Sequence, residues 1–335
     1  MKRFMGSVTD AYAIGCRGVR LAACIAWILL LPTATLCQDR TVSVLYAGSL
    51  AGVMENGVGP NFTAKTGLSY QGEAQGSLGG AHLIRDRLRS PDVFISADPS
   101  VNREVLMGRE NGNLVEWFMT VAASQLVVAY DPHGKFASRF EDVRSGQMPW
   151  YELLETPGVR FGRGDPRIDP KGYRTIFMFR LAARHYQRPE IAALLGDPVN
   201  PAQVFPEIVL LARLEAGEFD AGIFYKHEAV AHKLPFISLP AEINLGDPRF
   251  AASYGRETFD TESGEHIVAA PILFTVAIPR SVRHPQSALA FVKFLLSSET
   301  LLTQYGFTAA PHQFGGDPNA IPQVLREFSS GAFQP

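Results

Sequence analysis

Short apolar runs alternate with turn-forming segments along the first part of the chain that follows the N-terminal region. Residues 41–46 (TVSVLY), 68–73 and 92–96 (DVFIS) are rich in β-branched and aromatic side chains, which predicts buried strands. Between them, glycine–serine turns lead into stretches that predict helices ending near residues 65 and 89. Strand–turn–helix units at this spacing indicate parallel strands joined by right-handed crossovers, which is the α/β class.

The same alternation continues towards the C-terminus. Further strands are predicted at 124–130, 158–161, 219–224 and 272–278, and further helices at 173–186, 207–216 and 286–297. So many strands over roughly 300 residues favour two α/β domains over one. Because no Pro/Gly/Ser-rich linker marks a boundary, we expect the chain to cross between two lobes on extended segments near residues 121–124 and near Pro271. Lobe I is therefore predicted to comprise residues 41–122 and 272–335, and lobe II residues 123–271, each a mostly parallel sheet flanked by helices.

The first 37 residues have the pattern of a secretory signal peptide. Four basic residues precede an apolar run at residues 21–31, which ends at Pro32. The run is shorter than the roughly 20 apolar residues that span a bilayer, so a permanent anchor is the weaker interpretation. We expect cleavage near Cys37 and a periplasmic protein. Lipidation of Cys37 is the alternative, although Leu36 is a poor fit before a lipidated cysteine.

Cysteine usage and charge narrow the possible functions. All three cysteines, Cys16, Cys24 and Cys37, lie in this N-terminal segment, so the mature chain is expected to have no disulfide and no catalytic thiolate. Removing the segment's four basic residues and one acidic residue from the totals of 31 and 33 leaves a net charge of about −5. This balance argues against nucleic acid or an anionic membrane as partner. An anionic ligand would have to be held by local dipoles.

Two serines follow predicted strands at equivalent positions. Ser49 lies in YAGSLAG and Ser77 in AQGSLGG, and each follows a glycine and opens a predicted helix. Glycine permits a tight turn and a close backbone approach, while a helix N-terminus presents unpaired N–H groups beside the serine hydroxyl. Two such termini at neighbouring strand ends would converge on one crevice and bind an anion. Helix N-capping is the simpler alternative for either serine alone, but the paired pattern with its glycines favours the anion site.

A serine-hydrolase interpretation fails on local sequence. The nucleophile elbow needs glycine two positions before and two positions after the serine. Ser49 has Ala47 and Ala51 at these positions, and Ser77 has Gln75 before it. We therefore expect a protein that is not an enzyme.

No motif indicates a resident metal or a nucleotide. The eight histidines lack metal-ligand spacing, and surface positions are expected for them, including His227 and His232. There is no Walker A motif. We expect no cofactor.

The second half of the chain offers further candidate binding residues. In the loop at residues 162–175 (GRGDPRIDPKGYRT), Asp169 precedes a proline, which predicts an N-cap with Pro at the first helical position. The N–H of Lys171 or of the following glycine would then point into a pocket. The side chains of Lys171 and Arg174 could add charge, with surface solvation as the simpler role. Tyr225 ends an apolar strand, and its hydroxyl would donate from the second lobe unless it serves only the core.

These segments resemble the molybdate/tungstate-binding periplasmic proteins of ABC transporters, the ModA/WtpA type of type II solute-binding proteins. The similar segments are LYAGSLAGVME, GEAQGSLGGAHLIRD, SPDVFISADPS, DPRIDPKGYRT, ARLEAGEFDAGIFYKHEAVAHKLPFISLPAEINLGDP and AIPRSVRHPQSALAFVKFLLSSE. They extend in the family's order from about Val44 to the region of Pro311. The resemblance implies two α/β lobes that close on a small tetrahedral oxyanion, with delivery to a membrane permease that works with an ATPase.

The resemblance also implies the residues that bind the ligand. They are Ser49 and Ser77, backbone amides at Lys171 and Glu207, and the tyrosine Tyr225. In archaeal-type members, two carboxylates also contact the metal atom of the oxyanion and give it six-fold coordination. Asp169 matches one of them, but Phe224 stands at the other position. Because of this substitution we predict four-coordinate binding, with Asp169 capping its helix.

Several alternatives remain at the level of sequence. The same scaffold would serve sulfate, phosphate or a chelated ferric ion, because a fold does not fix the ligand. An exported enzyme using the same cleft is a further alternative, but the sequence offers no identifiable nucleophile–base pair. Molybdate and tungstate are not separated, because their oxyanions have nearly the same size and charge. We expect a monomer that does not bind nucleic acid.

Overall fold

The strands of the computed structural model account for most of the predicted apolar runs. The structure describes residues 40–193, 200–262 and 264–334, so the signal peptide predicted at residues 1–37 and all three cysteines lie outside the described residues. The strands are β1 (Thr41–Ala47), β2 (Ser69–Gln75), β3 (Val93–Ser96), β4 (Trp117–Ala123), β5 (Leu126–Tyr130), β6 (Phe161–Gly164), β7 (Val204–Phe205), β8 (Ala221–Tyr225), β9 (Phe236–Ser238), β10 (Thr258–Asp260), β11 (His266–Val268), β12 (Leu273–Ala277), β13 (Gln313–Gly316) and β14 (Gly331–Ala332).

Helices connect most of these strands. The α-helices are α1 (Ala51–Val53), α2 (Gly59–Thr66), α3 (Ser77–Arg85), α4 (Pro99–Val101), α5 (Ala137–Arg144), α6 (Trp150–Leu154), α7 (Pro170–His185), α8 (Glu190–Ala193), α9 (Glu207–Glu215), α10 (Lys226–Ala231), α11 (Ala251–Tyr254), α12 (Pro285–Leu296), α13 (Glu299–Gln304) and α14 (Gln323–Arg326). Short 3₁₀ segments lie at Gly48–Leu50, Pro248–Phe250 and Pro318–Ala320, and π-helical turns at Met54–Val58 and Asn102–Leu106. Within the described residues, no helix has both the length and the apolar character needed to cross a bilayer.

The strands form two main sheets. The seven-stranded sheet has the order β14-β13-β4-β12-β3-β1-β2, the five-stranded sheet the order β7-β6-β8-β5-β9, and β10 pairs with β11 as a hairpin. The predicted α/β class is confirmed. The expectation of mostly parallel sheets needs correction, because β12 runs antiparallel to β3 and β4, and β5 runs antiparallel to β8 and β9. These antiparallel strands adjoin the places where the chain passes from one sheet to the other, at β4–β5 and before β12.

One long apolar run contains two strands that belong to different sheets. Residues 117–130 are mostly buried, and only Ser124 and Gln125 separate β4 from β5. The sequence predicted a single strand at 124–130 and missed β4, which lies within the seven-stranded sheet. An uninterrupted apolar pattern does not show where a chain leaves one sheet and enters another.

The seven-stranded sheet is covered by helices on both faces. On one face, Val42 and Val44 of β1 pack in the same core as Phe62 of α2 and Phe291 of α12, and the two phenylalanine rings meet edge to face at 5.1 Å. On the other face, Leu45 belongs to a separate core beneath α3. Burying a phenylalanine contributes roughly 1.5–3 kcal/mol. This two-sided burial fixes the register of β1, since a one-residue slip would exchange its two faces.

Asp92, just before β3, ties β1 to the start of α12. Its Oδ2 accepts hydrogen bonds from the N–H and the hydroxyl of Ser43 at 2.8 and 2.7 Å and lies 2.8 Å from Nδ1 of His284. Its Oδ1 accepts from the N–H groups of Arg283 and His284 at 3.0 and 2.9 Å. Burial acts to raise the pKa of Asp92, but these donors outweigh it and lower the pKa to about 2.

We expect the ionised Asp92 to stabilise the folded chain. Its folded-state pKa of about 2 lies below the ordinary value of 3.8, so this stabilisation is fully present above about pH 4 and is lost as the pH falls through about 2. Asp92→Ala should lower the free energy of unfolding by about 2–4 kcal/mol at neutral pH, because it leaves buried donors unpaired. Urea denaturation measures the difference. Asp317→Ala, which removes an exposed cap, is the control and should cost about 1 kcal/mol or less; equal losses in the two variants would contradict this role of Asp92.

Candidate functional site

The two serine turns lie side by side at one edge of the seven-stranded sheet. Strands β1 and β2 pair in parallel, with Ala47 opposite Gln75, and Ser49 and Ser77 each follow that last pair by two residues. The first serine lies in a 3₁₀ turn and the second opens α3. Neither serine is an N-cap, because the caps are Ala47 and Gly76. The capping alternative therefore does not explain the pattern.

Both turns press against segments that flank the five-stranded sheet. A Cβ atom on Gly76 would lie 2.5 Å from the carbonyl oxygen of Ile168, the same oxygen that accepts a hydrogen bond from the N–H of Gly79 at 2.9 Å. A Cβ atom on Gly48 would lie 2.9 Å from Oε2 of Glu207. Glycine is needed at residue 76, because the atom that it approaches belongs to the backbone, whereas at residue 48 the end of the Glu207 side chain would have to shift.

Asp169 caps α7 as predicted. Its Oδ1 accepts a hydrogen bond from the N–H of Gly172 at 3.0 Å, and Pro170 occupies the first helical position. The side chain is completely buried. Burial, followed by the negative charge of Glu207, raises the pKa of Asp169 well above its ordinary value.

Lys171 lies in a buried ionic cluster. Its Nζ donates to Oε1 of Glu228 at 2.8 Å and pairs with Oε1 of Glu207 at 3.1 Å, while Oε2 of Glu228 accepts from the N–H of Tyr225 at 2.8 Å. Burial alone would lower the pKa of Lys171, but the two carboxylates raise it above its ordinary value. Burial chiefly, with a contribution from Glu207, raises the pKa of Glu228 to about 7. The surface role suggested for the Lys171 side chain is therefore wrong.

Arg174 is also buried and joins residues that flank the two sheets. Its guanidinium donates to the hydroxyl of Tyr225 at 2.9 Å, to the carbonyl of Ala97 at 2.6 Å and to Oδ2 of Asp98 at 2.9 Å. The surface position suggested for the Arg174 side chain is therefore wrong as well. The Tyr225 hydroxyl accepts from Arg174 and keeps its own proton available for donation. Burial raises the pKa of Tyr225 well above its ordinary value, so the phenol is neutral.

His227 supports the Ser49 turn from inside the protein. Its Nε2 lies 3.1 Å from the carbonyl oxygen of Ser49, and its Nδ1 lies 3.0 Å from the hydroxyl of Ser124. Burial lowers the pKa of His227 to about 3, so the ring is neutral at physiological pH. The surface position expected for this histidine is wrong, and no local pattern in the sequence distinguishes it from an exposed one.

Three buried polar atoms in this region have no hydrogen-bond partner within the described residues: Oγ of Ser49, Oδ2 of Asp169 and Oε2 of Glu207. The Ser77 hydroxyl oxygen accepts from the N–H of Ala97 at 2.9 Å, which leaves its proton free to donate. Lys171 and Glu207 lie in the first turns of α7 and α9, where N–H groups have no acceptor inside the helix. The arrangement places buried hydroxyl groups near the amide donors of two helix N-termini.

All six residues that the sequence predicted to contact the ligand are buried, but two of the carboxylates in this region were missed. The predicted residues are each at most 6% exposed: Ser49, Ser77, Asp169, Lys171, Glu207 and Tyr225. The Glu207 and Glu228 carboxylates were not anticipated. Glu228 has the spacing of a capping box, three residues after the N-cap, but that N-cap is Tyr225 and not Ser or Thr, so the sequence contains no clear signal for it. Among the described residues, no group of three or more His, Cys, Asp or Glu side chains is arranged to hold a metal ion.

Residues 42–308 match the family of bacterial extracellular solute-binding proteins. The chain belongs to this family. A Haloferax volcanii protein, provisionally named an ABC transporter molybdenum-binding protein, is 35% identical over 284 residues, covering 84% of this chain and 87% of the relative. The molybdate/tungstate-binding protein WtpA of Thermococcus kodakarensis is 28% identical over 327 residues, covering 88% of this chain and 90% of WtpA. The resemblance inferred from the sequence motifs is confirmed.

The fold also matches a solved structure of this class. The periplasmic molybdate-binding protein of Azotobacter vinelandii superposes with a TM-score of 0.55 at 14% identity, covering 80% of this chain and 99% of that protein. At this identity the likeness shows the fold alone. The solute-binding protein described here thus has the two-lobed type II architecture.

We expect Gly76→Ala to move the turn at residues 76–79, which follows β2, away from residues 168–169. The added methyl group would overlap the Ile168 carbonyl. The shift of backbone and side chains that removes such an overlap costs about 1–3 kcal/mol. Hydrogen exchange at the amide of residue 79, which donates to Ile168, should accelerate on the order of tenfold. Gly79→Ala is the matched control, since its methyl group would meet Ile168 at an ordinary 3.7 Å. Unchanged protection in Gly76→Ala would contradict the close contact.

Proposed function

We propose that this solute-binding protein captures a tetrahedral oxyanion, molybdate or tungstate, and delivers it to an ABC importer. The observation that carries the proposal is the pair of glycine–serine turns in equal register, together with the buried hydroxyl of Ser49, which has no hydrogen-bond partner among the described residues. The printed names of the Haloferax and Thermococcus relatives support the choice of ligand. Membership of the family of solute-binding proteins supports a binding role, and we propose that the protein has no enzymatic activity.

Two lobes would close on the ligand. Lobe I comprises residues 41–122 and 272–335, and lobe II residues 123–271. In support, β1–β4 and β12–β14 share the seven-stranded sheet, whereas β5–β9 form the other. The ligand contacts both lobes only when they are shut, so it shifts the open–closed equilibrium by its differential affinity. The closed form then docks on the permease.

Neutral donors would satisfy the bound dianion. Burial of an unpaired charge is costly, so each ligand oxygen needs hydrogen bonds. The hydroxyls of Ser49, Ser77 and Tyr225 and the backbone N–H groups of Lys171 and Glu207 are the proposed donors. Hydrogen bonds to a charged group contribute roughly 1.5–3 kcal/mol each. A few such donors therefore suffice without a cation in direct contact.

The cellular setting follows from the sequence pattern and the family. We propose that residues 1–37 are removed as a signal peptide and that the mature protein works in the periplasm as a monomer. A lipid anchor at Cys37 remains the alternative for its attachment. The permease, with its ATPase, is the protein partner, and no cofactor is required.

A thermal-shift screen of the mature chain against oxyanions tests the ligand. At about 100-fold above its dissociation constant, molybdate or tungstate should add ~2.7 kcal/mol of stability. The double variant Ser49→Ala, Ser77→Ala should lose this shift while remaining folded. The control double variant Ser145→Ala, Ser297→Ala removes hydroxyls that only bond helix-end carbonyls and should respond like the wild type. A full response in the first variant would refute the site, and tight binding of only sulfate or phosphate would refute the ligand.

X-ray absorption on the molybdate complex tests the coordination. We propose four-coordinate binding, because Asp169 already caps α7 through Oδ1 and Phe224 replaces the second carboxylate that the resemblance implies. The spectrum should then match that of free molybdate. A match to a six-coordinate molybdenum standard would contradict the proposal.

A further inference from the structure

The proposed anion site is surrounded by more negative than positive groups. The carboxyl groups of Asp169, Glu207 and Glu228 lie with the single ammonium group of Lys171 in one buried cluster, and none of the four residues is more than 5% exposed. We infer that the site takes up a proton together with its oxyanion, held by Asp169 and its acidic neighbours. This inference rests on the proposed function, and it adds that binding of the oxyanion is coupled to binding of a proton.

The contacts of Asp169 show which atom would carry the proton. Its Oδ1 is occupied by the N–H of Gly172, and its Oδ2 has no donor among the described residues. A Cβ atom on Gly164 would lie 2.9 Å from Oδ2, so the backbone of β6 covers one side of the group. An ionised Oδ2 would lie buried and unsatisfied, whereas a protonated one is a hydrogen-bond donor.

The neighbouring ammonium does not neutralise the cluster. Lys171 is shared between Oε1 of Glu228 and Oε1 of Glu207, and Oε2 of Glu207 has no partner in the part of the chain that the structure describes. One positive charge therefore faces three carboxyl groups. A bound dianion would add two further negative charges to a region from which water is excluded, where each uncompensated ion costs several kcal/mol.

The other titratable groups nearby supply no compensating charge. Asp165, in the loop before α7, is paired with Arg167 at 2.6 Å. Arg174 of α7 is engaged with Asp98 and Tyr225.

The remaining elements around the cluster carry a neutral histidine, His227, and a buried arginine, Arg163, whose charge acts on Asp165. His227 of α10 is neutral, because burial lowers its pKa to about 3. Arg163 of β6 lies beside Asp165 and contacts Gln203 at 3.4 Å. The serine turns at residues 48–50 (GSL) and 76–80 (GSLGG) contain no titratable side chain.

A proton therefore resolves the electrostatic conflict. When Asp169 is protonated, its Oδ2 becomes a donor to a ligand oxygen, and the cluster loses one negative charge. Burial and the nearby carboxylate already raise the pKa of Asp169 in the closed structure, and the added dianion acts in the same direction. In an open cleft the same carboxyl group would meet water and titrate near its ordinary pKa of about 4.

The sign of the pH dependence follows from this difference. The ligand-bound form holds more protons than the open form at neutral pH, so affinity falls as the pH rises. For one proton the dissociation constant should increase about tenfold per pH unit between about pH 6 and 8. Molybdate and tungstate are themselves deprotonated in this range, so the proton must come from solvent or buffer.

Titration calorimetry on the mature protein measures this proton directly. Tungstate binding is followed in two buffers with different ionisation enthalpies, and the difference in apparent enthalpy gives the number of protons taken up. We expect about one proton for the wild type. Asp169→Asn keeps an oxygen for the Gly172 N–H and places an amide donor where the protonated Oδ2 would be. This variant should lose both the proton uptake and the pH dependence.

A second aspartate that caps a helical turn provides the matched control. Asp317→Asn changes this aspartate, which lies outside the cluster, and the variant should take up the same number of protons as the wild type.

Tungstate binding by the wild type without proton uptake would overturn the inference and leave the proposed function intact. Undiminished uptake in Asp169→Asn would overturn the assignment to that carboxyl group. If the variant does not fold, the wild-type measurement alone decides whether a proton is taken up. Absence of tungstate binding at any pH would overturn the proposed function and this inference together.

Discussion

The parallel pairing of β1 with β2 is the constraint on which the arrangement of the site depends. Adjacent strands lie about 4.8 Å apart, so turns that leave them at the same register must be neighbours. Ala47 and Gln75 end the pairing together, which places Ser49 and Ser77 at equal distances from the sheet edge. The alternating burial of β1, with Val44 in one core and Leu45 in another, fixes this register against a slip. Ordinary hydrophobic packing thus positions two polar groups that contribute little to the core.

The close approach of glycine turns to the second sheet explains why ionic groups are buried here. Gly48 and Gly76 lie almost in contact with Glu207 and Ile168, and the charged side chains of Lys171, Glu207 and Glu228 in this region are at most 5% exposed. Each charge must then be satisfied by protein groups. Arg174 meets this requirement by bonding to Ala97, Asp98 and Tyr225, and so joins residues that flank both sheets. Breaking such a buried pair on one side is strongly destabilising, so the network favours one relative placement of the groups that it connects.

Local features were predictable from sequence, whereas long-range partners were not. The strand preceding Ser49, the N-cap at Asp169 and the helix starting at Glu207 depend on residues within a few positions, and their patterns are readable. The partners of Lys171 lie 36 and 57 residues away, and His227 contacts Ser49 from 178 residues away. No periodicity indicates that these side chains are buried, and a lysine or histidine is ordinarily expected at the surface. β4 was missed for a related reason, since its apolar run continues into a strand of the other sheet.

A site built from neutral donors and a carboxyl group differs physically from one built around a fixed cation. A lysine or arginine facing the solute would attract anions to the open protein, including those of the wrong shape. Here the chain carries a negative net charge and the nearest ammonium is already paired with two carboxylates, so long-range attraction is weak. In the proposed site, binding energy would come from short-range hydrogen bonds that form only when both serine turns and the α7 N-terminus surround the ligand. Such bonds depend on geometry, and an anion whose oxygens do not reach all the donors leaves some of them buried and unpaired, which is penalised more than a lost bond. If the proposed site is correct, selectivity and closure depend on the same few atoms.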